Sequence, residues 1–336
     1  MNQIIKYGSI SQIPLYNCSE LTSDEWSERD GIPRPIAGIS SIIYGIIMNI
    51  MYLPILAVMF EKDNYRMSCF KIMILLALYD MLAIWVNSVS TGYLAYHGAV
   101  YCSFPTLTYI SGMLALASWC GSCMIATILI INRLLDLTTT LLIDKLFDGN
   151  RTLIVLSILI IYSIYFVLFT PPVLFTSKYY AWFLDPLIFP NKSLEYVNIP
   201  HIFNNILVVA ITCIFYMTLC CILRLKVQNI GDNDNARKLS KQIFLQSALI
   251  CSFNQVGSFI YVIFNFVQVP IWIIVTGHVM WQVTHGIPVV IYLTLNTTIR
   301  TGVMRKLGIN CTTPRVEDSM MVTTAVQATT VVVEEQ

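Results

Sequence analysis

Seven apolar runs, each long enough to cross a lipid bilayer, limit what this chain can fold into. They are Ile36 to Phe60, Ile72 to Tyr93, Pro105 to about Leu135, Leu153 to about Phe169, Ile202 to Leu223, Ile243 to Val267 and Ile271 to Leu295. A crossing takes about 20 apolar residues, and in hydrocarbon a helix satisfies its own backbone, so each run reads as a helix. Charged turns or helix breakers separate the runs: Glu61 to Arg66 after the first, Pro171-Pro172 after the fourth, and Gln268-Val269-Pro270 before the last. Composition agrees, because 56% of the residues are hydrophobic and 12% charged. Soluble proteins carry roughly a quarter charged residues, and half that number cannot cover a wetted surface.

The fold class expected is therefore an all-α membrane protein, a seven-transmembrane helix bundle. Three regions follow: an extracellular N-terminal segment over 1–35, a seven-helix domain over 36–299 and an irregular cytoplasmic tail over 300–336. Residues 1–35 lack the apolar core of a signal peptide, so the first run serves as the insertion signal. Orientation comes from Lys and Arg. With the N-terminus outside, the outer segments hold Lys6, Arg29, Arg34, Lys178 and Lys192, and the other fifteen of the 20 basic residues lie inside.

That orientation sorts the 10 cysteines. Cys18 and Cys102 fall in outer segments, and the rest lie in the membrane or the cytosol, where thiols mostly stay reduced. Any extracellular disulfide within the chain is then Cys18–Cys102, the alternative being two free thiols. Asn17 and Asn191 begin acceptor sequons on the outer face. Cys311, just past the last helix, is a palmitoylation candidate beside the plainer reading of a cytoplasmic thiol.

A few polar residues inside the apolar runs carry the mechanistic expectations. Asp80 stands nine residues beyond Lys71, roughly 13 Å deep, and must face the bundle as a switch, an ion or proton site, or a hydrogen-bond hub. Asn132 and Arg133 close the third run, with Asp136 one helical turn on. There Arg133 either contacts a cytoplasmic partner or snorkels to the interface. In the last run His285-Gly286-Ile287-Pro288 predicts a kink, with His285 either facing Asp80 or serving as a packing histidine. Asn87, Tyr109, Trp272, His278 and Trp281 are candidates for a ligand pocket, against the plainer reading of interface aromatics. No metal-ligand cluster, phosphate loop or nucleophile with a nearby base is legible, so neither an enzyme nor a cofactor is expected.

The order of these features resembles a G-protein-coupled receptor: Asp80 in the second helix, Asn132-Arg133 ending the third, and a Gly/Pro hinge before Tyr292 in the seventh. More narrowly, the chain resembles the nematode chemoreceptors called serpentine receptor class T. The resemblance is carried by Tyr7-Gly8-Ser9-Ile10, Tyr16-Asn17-Cys18, Glu25-Trp26, Ser68 to Met73, Asn132 to Asp136, and His285 to Pro288 with Tyr292 and Asn296. It implies a sensory-neuron receptor of the plasma membrane, in the cilium, that binds an external small molecule and signals to a heterotrimeric G protein. Membrane lipids and a receptor oligomer are further implied partners, and nucleic acid is not. Arg133 would engage the G protein, with Asp80, Ser122, His285, Pro288 and Tyr292 in the switch. Ala115 occupies the depth where amine receptors carry a ligand-binding Asp, which disfavours a protonated amine. The rival readings are a ligand-gated channel or transporter, and a non-signalling partner in a hetero-oligomer.

Overall fold

The computed structural model describes residues 3–138, 140–190, 192–229, 245–246, 249–250, 252–261, 263, 267 and 269–309, with the side chains of 136–138, 140–141, 193, 216, 219–220 and 222–229 left aside. Its spans are Pro35–Met59, Ser68–Tyr96, Pro105–Thr138, Arg151–Phe169, Ile199–Asn229, a sixth described as helix over 252–261, and Ile271–Leu295. Proline sits in the first turn of the first span and caps the seventh, where no backbone N–H is needed. Third and fourth spans divide the work of burial. In the third, 78% of the most apolar window is buried in the protein, whereas the fourth, with a mean hydropathy of 2.6, buries 28% and turns the rest to lipid. The third span is therefore the axis of the bundle and the fourth its rim.

The second span changes pitch at Trp85–Ser90, where a π-helical turn carries Asn87 and Ser88 inward. It crosses the first span at two facing glycines: a Cβ on Gly38 would lie 2.6 Å from the Gly92 carbonyl oxygen. Only two bare backbones pack this closely.

Residues 3–34 are a folded cap rather than a polar tail. Thr22 and Glu25 close a capping box on the helix Ser23–Asp30, and Trp26 beneath it is 1% exposed. Cys18 is bonded to Cys102, in the turn that leads into the third span, with Cα atoms 5.4 Å apart. Around the bond Tyr16 packs on Tyr101, Tyr109 and Tyr196, from three distant segments, with ring centroids 5.3–5.7 Å apart. Burial among them holds the Tyr16 hydroxyl well above its ordinary pKa, so it stays neutral. The second outer loop contributes the antiparallel hairpin β1 (Leu174–Thr176) and β2 (Ala181–Phe183), which lies over the bundle.

At the inner end the chain does not turn irregular at residue 300, as its polarity suggests. Asn296 caps a further helix, Thr297–Lys306, whose Arg305 and Lys306 grip Glu61 at 2.8 and 3.0 Å. An N-cap amide and a paired basic end give this stretch its order.

Candidate functional site

Asp80 is 3% exposed, and a carboxylate at that depth demands partners. It has two. His285 Nδ1 of the seventh span lies 2.7 Å from Oδ1, and the Tyr52 hydroxyl of the first lies 3.0 Å from Oδ2. The same hydroxyl is 2.9 Å from the His285 carbonyl, so its one proton is shared between two acceptors. A buried acid needs such partners, because a carboxyl group left without them in lipid is costly. His285 thus faces Asp80 as its hydrogen-bond partner rather than serving only to pack. The helix around it runs from Ile271 to Leu295 with Pro288 inside.

One turn outward, Gln282 knots three spans together. Its amide nitrogen donates to Ser41 Oγ at 2.9 Å and to the Asn87 carbonyl at 2.8 Å. Ser41 in turn meets the Tyr180 hydroxyl of the hairpin at 2.5 Å, and His278 packs edge-on against the same Tyr180 ring at 5.2 Å. Asn87 and His278 are therefore part of a polar belt under the outer loop.

Beside that belt, toward the fifth span, lies a cavity of about 30 Å³ walled by Trp119, Trp182, Tyr261, Trp281, His201 and Ala115, with Leu116 and Val173 closing it. Trp119 is held by a bond from its indole N–H to Asn205 Oδ1 at 2.9 Å, and Trp182 by one to Thr91 at 2.7 Å. At about 30 Å³ the space suits a water molecule or two. The walls adjoin the polar core: the Trp119 and Trp281 rings pack edge-on against His285 at 5.9 and 6.5 Å.

Of the residues expected to line a pocket, Trp281 is on this wall. Tyr109 belongs to the tyrosine cluster under the cap, and Trp272, 68% exposed, faces away from the bundle. Ser122 is buried but gives its hydroxyl proton to the Trp119 carbonyl of its own helix. At the inner end the Asn132 amide donates to Ser68 Oγ at 3.0 Å, tying third and second spans, with half-buried Arg133 beside it. Tyr292 is fully buried, and its hydroxyl has no hydrogen-bond partner among the described residues. Asn17 is exposed next to the disulfide. The side chain of Asp136, and all of Asn191 and Cys311, lie outside the described residues.

Sequence reading passed over Tyr52, Gln282, Trp119, His201 and Asn205. The signals available were the amide pair Asn204-Asn205 in an otherwise apolar run, and the spacing that puts His278, Trp281, Gln282 and His285 on one helical face.

Comparison with known proteins agrees with this architecture. The family described as "Serpentine type 7TM GPCR chemoreceptor Srt" matches residues 3–316. The Caenorhabditis elegans protein "Serpentine receptor class T-55" is 29% identical over 288 residues, which cover 85% of this chain and 78% of that one. The crystal structure of squid rhodopsin superposes with a TM-score of 0.64 over 88% of this chain and 93% of its own, at 14% identity, a likeness of fold. With its seven-helix bundle and a family match that runs nearly from end to end, the chain belongs to the Srt serpentine chemoreceptors.

Proposed function

We propose that this protein is a chemosensory receptor of the plasma membrane. On this reading it binds an external small molecule in the aromatic cavity and signals through a heterotrimeric G protein at its inner face. The observation that carries it is the shared wall: Trp119 and Trp281 line the cavity and also pack on His285, the partner of Asp80. A ligand that enlarges the cavity must displace one or both indoles, and the contact they make with His285 changes with them. That differential contact is what a ligand needs to shift a conformational equilibrium. Arg133, at the inner end of the span that holds Trp119, is the residue assigned to the G protein.

A ligand screen on the full chain with a G-protein-dissociation readout tests the proposal. Arg133→Ala is expected to reach the surface, bind ligand and lose stimulated nucleotide exchange. Unchanged exchange removes Arg133 from the coupling site. Ligand-evoked current in cells without G proteins overturns the receptor reading in favour of a channel.

A further inference from the structure

The cavity is unequal in its hydrogen-bonding groups, and the inequality speaks to what it binds. Two buried nitrogens on wall residues, His201 Nδ1 and Trp281 Nε1, have no hydrogen-bond partner among the described residues. The indole nitrogen of Trp281 is a donor by its chemistry. The character of His201 Nδ1 is fixed at one remove. Asn205 Oδ1 accepts from Trp119 Nε1 at 2.9 Å and from the Asn204 amide at 3.2 Å, so its oxygen faces the indole and its nitrogen faces His201 Nε2 at 3.2 Å. An amide nitrogen can only donate. His201 Nε2 is therefore the acceptor, and in the neutral ring the proton sits on Nδ1. The walls of the cavity then hold two N–H donors without acceptors, among Trp119, Trp182 and Tyr261, and no acidic or basic side chain apart from the imidazole.

The geometry points to a neutral, largely apolar ligand of small size that presents a hydrogen-bond acceptor, a carbonyl, ester or ether oxygen, to His201 Nδ1–H and Trp281 Nε1–H. This rests on the cavity's being the receptor's ligand site. Aromatic walls alone would also suit an ammonium ion through cation–π attraction. An ammonium brings further donors or none, and no acceptor, so it leaves both N–H groups buried and unpaired. A hydrocarbon of the same shape fills the space and leaves the same two groups unpaired. A buried polar group deprived of its partner is what rejects an otherwise isosteric ligand most strongly. The restricted volume, about 30 Å³ before any opening, favours the smallest members of the class.

The test uses the full-length protein in lipid nanodiscs and a panel of volatile ketones, esters and ethers. Each is paired with its alkene isostere and with an ammonium of the same skeleton; acetophenone, α-methylstyrene and phenyltrimethylammonium form one such set. Binding is read by tryptophan fluorescence and by displacement of whichever member binds best. Acceptor-bearing members are expected to bind about tenfold or more tightly than their alkenes, the equivalent of one neutral hydrogen bond. Trp281→Phe, which removes the N–H and keeps the ring, should shrink that preference severalfold without weakening the alkenes. His201→Phe should do the same, with thermal stability followed to show that the protein is folded. Equal binding within each set, preference for the ammonium, or no binding by any acceptor-bearing member overturns the proposed ligand class. Ala115→Phe, which fills the cavity, separates the two levels of inference. If it leaves binding of the best member intact, the ligand sits elsewhere and the reading of the site fails as well.

Discussion

Asp80→Ala strips the bundle of the carboxylate that joins three of its spans. In the folded protein that group lies 2.7 Å from His285 Nδ1 and accepts from Tyr52 at 3.0 Å, and both Asp80 and His285 are buried. The loss is not symmetric. Tyr52 keeps the His285 carbonyl at 2.9 Å as an acceptor, whereas among the described residues His285 Nδ1 has no second partner and its Nε2 has none already. Breaking a buried pair from one side costs about 3–5 kcal/mol, because the remaining group is stranded. Asp80→Asn preserves the shape and one acceptor and gives up the charge assistance, a loss of about 1–2 kcal/mol. The double variant Asp80→Ala with His285→Ala leaves a void without a stranded polar ring. It should therefore fall short of the summed single costs by about 2–3 kcal/mol, the upper end of the coupling seen for groups in direct contact. Unfolding of the four proteins of the cycle in mixed micelles, titrated with SDS and followed by fluorescence, measures that shortfall. Additive costs would refute the argument and reduce the 2.7 Å contact to an incidental one.

Three other perturbations test the frame around the site. A methyl group at Gly286 would overlap the Tyr44 hydroxyl, which donates to the Gln282 carbonyl at 3.1 Å; Gly286→Ala should cost about 1–3 kcal/mol. Adding Tyr44→Phe should recover part of that cost, and a thermal shift with no recovery would place the strain elsewhere. Cys18→Ser frees the cap. With the spans still inserted, the chain released is the segment between Cys18 and Pro35, whose closure is worth about 3 kcal/mol. Amide exchange should rise across Ser23–Asp30 and stay unchanged in the third span, and equal exchange in both proteins would contradict the loop argument. At the inner face, partial burial works to raise the Glu61 pKa, but hydrogen bonds from Lys306 and Arg305 outweigh it, and the value lies below the ordinary one. A lowered folded-state value means that the contribution is complete above the unfolded pKa and disappears as pH falls through the folded one. Glu61→Gln should thus loosen Thr297–Lys306 by about 0.5–1 kcal/mol at neutral pH and have no effect in acid, as read by exchange in that helix.

The spans were legible because their signal is a sum over some twenty residues, and the seventh begins and ends where hydropathy alone put it, at Ile271 and Leu295. Asp80 was legible because a charge in an apolar run stands out. Its partner Tyr52 was not, since a tyrosine in a span is commonplace and only packing shows which way it turns. Trp272 and Trp281 make the same point. Nine residues apart, they lie about half a turn out of register on a helix, so one of them had to face away. The sequence does not say which, because helix rotation is set by the neighbours. The cap was missed for a different reason. Ile13, Tyr16 and Trp26 have no regular spacing, and the rings that bury Tyr16 come from Tyr101, Tyr109 and Tyr196, far along the chain. Long-range burial of this kind leaves no local pattern.

The inner end of the bundle and its middle are restrained by different chemistry, and that difference bears on how a signal could travel. At the inner end the residue before Arg133 is an amide, and it bonds to the Ser68 hydroxyl, so a neutral hydrogen bond of modest worth ties third to second span there. At mid-depth a carboxylate, an imidazole and a phenol join first, second and seventh spans, in surroundings where an unmet partner costs several times more. The stiffer joint is therefore the deep one. It also lies under the cavity, because the indoles on the wall rest on the imidazole of the joint. On the receptor reading proposed above, a ligand that parts those indoles acts first on the joint that resists most, and the weaker inner tie is left to follow. Two discrete arrangements of one costly buried pair make a switch more readily than a gradual loosening of many cheap contacts.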